Sequence, residues 1–339
     1  MFRTHFNHPI LSIYPGLNPH EILIAGGGGS SKTGVPNLLQ ICTVDSDGTL
    51  KINKTIKYTQ QASCITSHFA KRKTYAVVGV GSNILLLNKR YSEINSFDTH
   101  MEKLLFRSLC ISPRGNLLVA VDGDDILRLF QLPSMKQVYY TSDRTVQRAT
   151  FVSSFKSEEG DDDNLLILCT SDSKVQLLKP EDKFPLVAES DILKLEPKQI
   201  SSFDDAIYFT GISREKKCSL VVKLKYDKEL GKLETVKTAK PANALITEMS
   251  VNSRSVVVGT SEGDVIFLDR FSLNKQIVSS KVHSFPITTI CSIDDFTITG
   301  GIDSVVSVIK NKKPGYKKYI FIVVCILAIL IGVLLNYQK

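Results

Sequence analysis

The chain has 339 residues, 43% of them hydrophobic and 22% charged, with a net charge of +8 and no tryptophan. This composition excludes a disordered or collagen-like chain, and the length allows one large core or two ordinary ones. Six lysines and no acid fall in residues 310–339, so the first 309 residues carry only +2; the basic charge is a local feature at the C-terminal end and does not describe a nucleic-acid-binding face.

The N-terminal stretch Met1-Phe-Arg-Thr-His-Phe-Asn-His-Pro9 has no long apolar segment, and no signal peptide is expected there. Two apolar runs follow, Glu21–Ala25 and Leu38–Val44, and both read as strands. Between them lies Gly26-Gly27-Gly28-Gly29-Ser30-Ser31-Lys32-Thr33-Gly34-Val35-Pro36-Asn37. Four consecutive glycines allow the backbone φ > 0 and close approach to another surface or an ion. Ser31-Lys32-Thr33 imitates the end of a phosphate-binding P-loop. That motif needs glycine before the lysine and a helix after it. Here Ser31 precedes Lys32, and Gly34-Val35-Pro36 breaks any helix start, so the dipole and converging N–H groups of an anion site are missing. Val35-Pro36-Asn37 gives the second half of the loop a shape, because proline fixes φ and asparagine hydrogen-bonds locally.

Short apolar or alternating runs continue to the C-terminal region, broken by Gly, Asp, Asn, Ser and Pro. One unit is clear: strands at Leu104–Ser112, Leu117–Asp122, Ile126–Leu132 and Lys136–Thr141, with turns at Pro113–Asn116 and Gly123–Asp125. The same four-part rhythm returns at Leu245–Ser280, where Val256–Leu268 is a hairpin around Ser261-Glu-Gly-Asp264. Units fall at 9–57, 62–97, 104–141, 146–189, 198–238, 244–280 and 286–309. Their spacing of about 44 residues is that of a propeller blade. The fold expected for residues 1–309 is therefore all-β, a seven-bladed WD-repeat-like β-propeller, with six or eight blades as alternatives. The last unit has three strands, and Phe2–Asn7 is placed to supply its missing outer strand and close the ring.

The acidic run Glu158–Asn164 inside the fourth unit reads as a solvated loop without the interleaved ligands of a calcium site. Seven cysteines stand singly, mostly inside apolar runs, as expected of buried free thiols in a reducing compartment. Six histidines show no metal-ligand spacing; His283, just before the inner strand of the last unit, reads as a structural residue that orients a tight turn. No nucleophile elbow and no assignable carboxylate pair is present, so no covalent chemistry is expected.

Residues 310–318 form a basic linker, and Tyr319–Leu335 is a run of seventeen residues without a charge. Such a run suits a single transmembrane helix near the lower length limit, in a thin bilayer such as that of the endoplasmic reticulum. The lysines of the linker put the propeller on the cytosolic side, leaving 336–339 as a short luminal tail.

Ala25 to Asn37 matches, without a gap, the pattern A-G-G-G-G-x-x-x-x-G-[IV]-P-N carried in the first blade by fungal members of one family, and His283-Ser-Phe-Pro-Ile-Thr288 matches the H-S-F-x-I-T of its closing blade. With the C-terminal anchor, the chain resembles the endoplasmic-reticulum WD-repeat guanine nucleotide exchange factors for the Sar-type small GTPase of the COPII coat. Fungal relatives often continue into a long luminal domain, whereas this sequence ends four residues after the apolar run. The resemblance implies nucleotide exchange on that GTPase at the endoplasmic reticulum membrane, starting coat assembly for transport to the Golgi. The partners implied are the GDP-bound and nucleotide-free GTPase and the membrane; the chain itself would hold no nucleotide. The family's glycine loop, the K loop, binds potassium, which at loop level implies Gly26, Gly27, Gly28, Gly29, Ser30 and Asn37. Gly34, Val35, Pro36 and Asn37 would engage the GTPase, with Asn37 as the main polar contact. The alternative is a non-catalytic, membrane-anchored propeller scaffold of the same pathway; a hydrolase using the central channel lacks a visible residue set.

Overall fold

Runs such as Ile22-Leu23-Ile24-Ala25 are apolar at every position, which is stable only where both faces of a strand are covered. The structure, a computed structural model, provides that cover with radially packed sheets. It describes residues 1–29, 34–69, 74–101, 104–142, 145–153, 165–171, 174–191, 195–204, 206–213, 215, 217–227, 229–293 and 295–311. All of the regular structure among them is β.

The first strand is β1 (Phe2–His5). Six sheets of four strands follow in chain order: β2–β5 (Ile10–Pro15, Glu21–Gly26, Asn37–Val44, Leu50–Tyr58), β6–β9 (Ala62–Phe69, Thr74–Val80, Asn83–Leu87, Glu93–Asp98) and β10–β13 (Phe106–Ile111, Leu117–Asp122, Leu127–Gln131, Lys136–Thr141). They continue as β14–β17 (Val146–Ser153, Leu165–Ser171, Lys174–Leu178, Leu186–Asp191), β18–β21 (Leu195–Phe203, Ala206–Ser213, Cys218–Asp227, Lys232–Ala239) and β22–β25 (Ile246–Val251, Ser255–Thr260, Val265–Asp269, Lys275–Ser279). The seventh sheet holds β26–β28 (Ile287–Ile293, Phe296–Gly301, Val305–Lys310). Its fourth and outermost strand is β1, antiparallel to β28 with Phe2 opposite Val308. The first strand of every sheet packs on the first strands of its two neighbours, β26 on β2 included, so the ring closes. This is a seven-bladed β-propeller, and the N-terminal segment closes it as the three-stranded last unit required.

Each gap between adjacent blades holds its own apolar cluster. Along β3, Ile22 and Ile24 face blade seven with Ile298 and Val306, while Leu23 and Ala25 face blade two with Ala76 and Val78. Val256 and Val258 of β23 likewise face blade five, and Val257 faces blade seven. The period-2 alternation of a strand thus serves two cores at once. Outer strands cover one face only, and β5 is largely exposed after Leu50.

All seven inner strands carry a bulge near their start, at Leu11, Ser63, Arg107, Gln147, Lys198, Thr247 and Thr288; it follows the first ladder pair in six and the third in β18. At three of them a hydroxyl reaches the next blade: Ser63 Oγ donates to Phe106 O at 3.0 Å, Thr247 Oγ1 to Ile287 O at 2.6 Å and Thr288 Oγ1 to Ile10 O at 2.5 Å. In blade five the inner strand starts at Leu195, three residues before the sequence rhythm places it. Pro197 is accommodated there because the bulge falls between it and Gln199.

His283 is buried, with Nε2 2.8 Å from Thr299 Oγ1 and Nδ1 3.1 Å from Asp303 Oδ1. Asp303 also accepts from the Ser284 and Val305 N–H groups at 3.0 and 3.2 Å. The histidine ties the connection before β26 to the β27–β28 turn, the structural task its sequence position suggested.

Met1–Ile309 form one compact unit. Among the described residues no helix is long and apolar enough to cross a membrane. The apolar run 319–335, most of the linker 310–318 and the acidic run 158–164 lie outside the described residues.

Candidate functional site

The strands flanking the glycine motif extend into it at both ends. β3 runs on to Gly26 and β4 begins at Asn37, and the two close the base of the loop as the pair Gly26–Leu38. The loop therefore leaves blade one at the face that carries the β5–β6 connection and the closing segment Phe6–Pro9. The last strand, β28, runs the other way and ends at the opposite face.

Gly26 sits where no side chain fits. A Cβ there would lie 1.9 Å from Pro9 O and 2.9 Å from the His8 ring. Gly27 has φ of +151°, and a Cβ would meet Asn37 Oδ1 at 2.2 Å. The glycines thus give the loop its closeness to the propeller as well as its backbone freedom.

Asn37 is 7% exposed. Its Oδ1 accepts from Gly29 N at 3.1 Å, and its Nδ2 donates to Gly29 O at 3.1 Å and Thr59 O at 3.3 Å. The carboxamide pairs with Gly29 as a backbone amide would, so its polar atoms are spent within the protein. Contact with a partner through this side chain requires it to leave Gly29. Gly27 O accepts from Gln61 Nε2 at 3.0 Å. Gly28 and Gly29 are partly exposed, Gly34 is exposed, and Val35 and Pro36 are half-buried. Residues 30–33, including Ser30, are outside the described set.

Residues 26–37 contain no carboxylate. Their oxygens are carbonyls, one carboxamide and hydroxyls, a donor set matched to a weakly hydrated monovalent cation. Gly27 O and Gly29 O each accept one amide hydrogen and keep a second lone pair, so the fit to potassium holds at the level of donor chemistry. Among the described residues no three His, Cys, Asp or Glu side chains are grouped to hold a metal ion.

His8 packs under Gly26. It is 1% exposed, its Nδ1 is 3.1 Å from Asn7 Oδ1, its Nε2 has no hydrogen-bond partner, and burial lowers its pKa. Sequence reading missed His8 and Gln61. Gln61 belongs to the polar triplet Thr59-Gln60-Gln61, which reads as an ordinary connection, and its partner Gly27 lies 34 residues away.

The same face carries apolar side chains that a folded core does not use. Met101, Leu105, Leu245, Phe285 and Ile302 are all more than a third exposed on its connections. Phe285 lies in the His283–Thr288 motif.

The inner strands also line a central cavity of about 500 Å³. Glu248 stands in it, with Oε2 accepting from Gln199 Nε2 at 3.1 Å and Oε1 from Met249 N at 2.9 Å. Burial pushes its carboxyl up from 4.5 to about 7, against the opposing influence of Arg148 and the Met249 N–H. A carboxyl whose folded pKa is raised holds its proton more tightly in the folded protein, so stability falls as pH rises from about 4.5 through 7. Glu248→Gln is expected to be more stable than the wild type at pH 8 by roughly 1–3 kcal/mol, with the difference vanishing near pH 4.5. Denaturant unfolding of both proteins across this range measures it, and parallel curves would contradict the assignment.

No protein-family profile matches the sequence, and no curated protein is significantly similar to it. The reading of function therefore stands on the loop, its setting and the motifs themselves.

Proposed function

We propose that this protein is a membrane-anchored guanine nucleotide exchange factor for a Sar-type small GTPase at the cytosolic face of the endoplasmic reticulum. The observation that carries the reading is the glycine loop: a permissive segment held on a fixed base by Asn37 and Gln61 and presented from an otherwise regular propeller. The resemblance of residues 25–37 and 283–288 to the exchange-factor motifs supports it, and the apolar run 319–335 supplies the anchor.

Exchange needs no covalent chemistry. Nucleotide and exchange factor bind one GTPase with opposing coupling, so each weakens the other by the same factor. The factor must stabilise switch segments in a form that no longer supports Mg²⁺ and the phosphates. A loop fixed before docking loses less conformational entropy on binding than a free one. In this reading Asn37 keeps Gly29 in place, Gln61 keeps Gly27 in place, and exposed Gly34 with half-buried Val35 and Pro36 offers the edge that meets a partner. Gly26–Gly29, Ser30 and Asn37 would hold potassium, which supplies a fixed positive charge that draws backbone carbonyls inward. Phe285 and Ile302, on the same face, provide apolar area for a partner protein.

The second reading, a non-catalytic propeller scaffold on the same membrane, draws support from the inward turn of Asn37. Reciprocal coupling separates the two. Nucleotide-free Sar-type GTPase is expected to be retained by the immobilised protein and released by excess GDP. Retention that GDP does not weaken favours the scaffold.

A further inference from the structure

The glycine loop is gripped from outside its own blade. Gln61 stands on the connection from β5 to β6, and its Nε2 donates to Gly27 O at 3.0 Å. Its Oε1 faces Gly29, where an added Cβ would approach it to 3.8 Å. Asn37 holds Gly29 from within the blade. Two carboxamides therefore secure alternate glycines, one from each side. The backbone under Gln61 is fixed in turn, because Gly81 N donates to Gln61 O at 3.0 Å, and Gly81 lies on the β7–β8 turn of blade two. The loop of blade one is thereby registered against blade two.

Glycine loses more backbone freedom on ordering than any other residue, so each restraint on the run matters. Asn37 makes two hydrogen bonds to Gly29, and Gln61 adds one at Gly27 from the connection to blade two.

We propose that Gln61 is a positioning residue of the glycine loop, holding Gly27 so that the base of the loop is fixed before a partner arrives. Its consequence for exchange rests on the function proposed above, while the grip itself is measurable without a partner. Lys32 offers a trypsin site inside the loop. With the full chain in detergent micelles, we expect cleavage after Lys32 to be about five- to tenfold faster in Gln61→Ala than in the wild type, a tenfold change being 1.4 kcal/mol of loop opening. Gln61→Glu keeps the size but loses the donated hydrogen and sets a carboxylate against a carbonyl; it should behave like the alanine variant. Gln60→Ala, the preceding residue on the same connection, should cleave at the wild-type rate, and melting temperatures should stay within about 2 °C of the wild type, since one surface-side bond is lost.

Unchanged cleavage in both Gln61 variants, or equal acceleration in Gln60→Ala, overturns the proposal. Nucleotide release from a Sar-type GTPase, followed in parallel, keeps the two readings apart. A loosened loop in Gln61→Ala beside a wild type that releases no nucleotide removes the exchange reading and leaves the grip standing. An active wild type matched in cleavage and activity by Gln61→Ala removes the grip and leaves the exchange reading standing.

Discussion

Asn37→Ala is expected to lower GTPase-directed nucleotide release by at least about tenfold, equal to 1.4 kcal/mol of lost transition-state stabilisation. The side chain makes three hydrogen bonds, to Gly29 N, Gly29 O and Thr59 O. Its removal leaves Gly29 without its clasp and opens a space where Gly27 packs against Oδ1. The propeller should survive, because the lost contacts lie at a loop base and the β3–β4 ladder remains. A stability loss of roughly 1–3 kcal/mol is expected from the orphaned amide groups. Asn37→Asp refines the test. It keeps an acceptor for Gly29 N, loses both donated bonds and brings a charge beside a carbonyl, so it should be nearly as impaired. Stopped-flow nucleotide release and thermal melting, read together, check both parts. Wild-type release by a folded Asn37→Ala protein would remove this residue from the mechanism.

The second large effect belongs to ring closure. Deleting residues 1–7 removes β1, the Phe2–Val308 to His5–Val305 ladder, the Phe6 N–Ser304 O bond at 2.8 Å and the Arg3 bond to Lys281 O at 2.7 Å. It also strips the Phe2 ring from Gly48 of the first blade. The buried strand β28 becomes an open edge with apolar side chains on both faces, a template for association between molecules. A loss on the order of 3–6 kcal/mol follows from the ladder and the exposed apolar area. For a domain of this size that is a fall of roughly 5–9 °C in melting temperature. The loop should suffer as well, since the segment that β1 leads into, His8-Pro9, packs under Gly26. Calorimetry and size-exclusion chromatography test this; an unshifted, monomeric deletion would mean that the ring does not depend on its N-terminal strand.

Much of this architecture is legible in the sequence, for a physical reason. A blade strand buried on both faces reads as a mostly apolar run, and the turns between such strands are rich in polar residues and glycine. Ile22–Ala25, Leu118–Val121 and Val256–Val258 could hardly be read otherwise, and the missing fourth strand of the last unit pointed to Phe2–Asn7. His283 announced its turn-fixing role through its place before an inner strand. The bulges were not legible, because a bulge is a property of register between two strands and leaves no fixed residue type: Leu11, Arg107 and Thr247 occupy equivalent places. The clasp on the loop was half legible. Asn37 stood out at the shaped end of the glycine run, yet its inward direction depends on Gly29 and Thr59. Gln61 was invisible, since nothing local distinguishes it from Gln60. Glu248 was invisible too, since only the side-by-side packing of consecutive inner strands brings it beside Gln199 and near Arg148 of other blades.

The measurement closest to the central claim is release of bound GDP from a Sar-type GTPase on addition of this protein, compared in potassium and in sodium at equal ionic strength. The account predicts release accelerated well above the intrinsic rate in potassium and weaker acceleration in sodium. Release at the intrinsic rate in potassium, from protein whose propeller melts cooperatively, would contradict it.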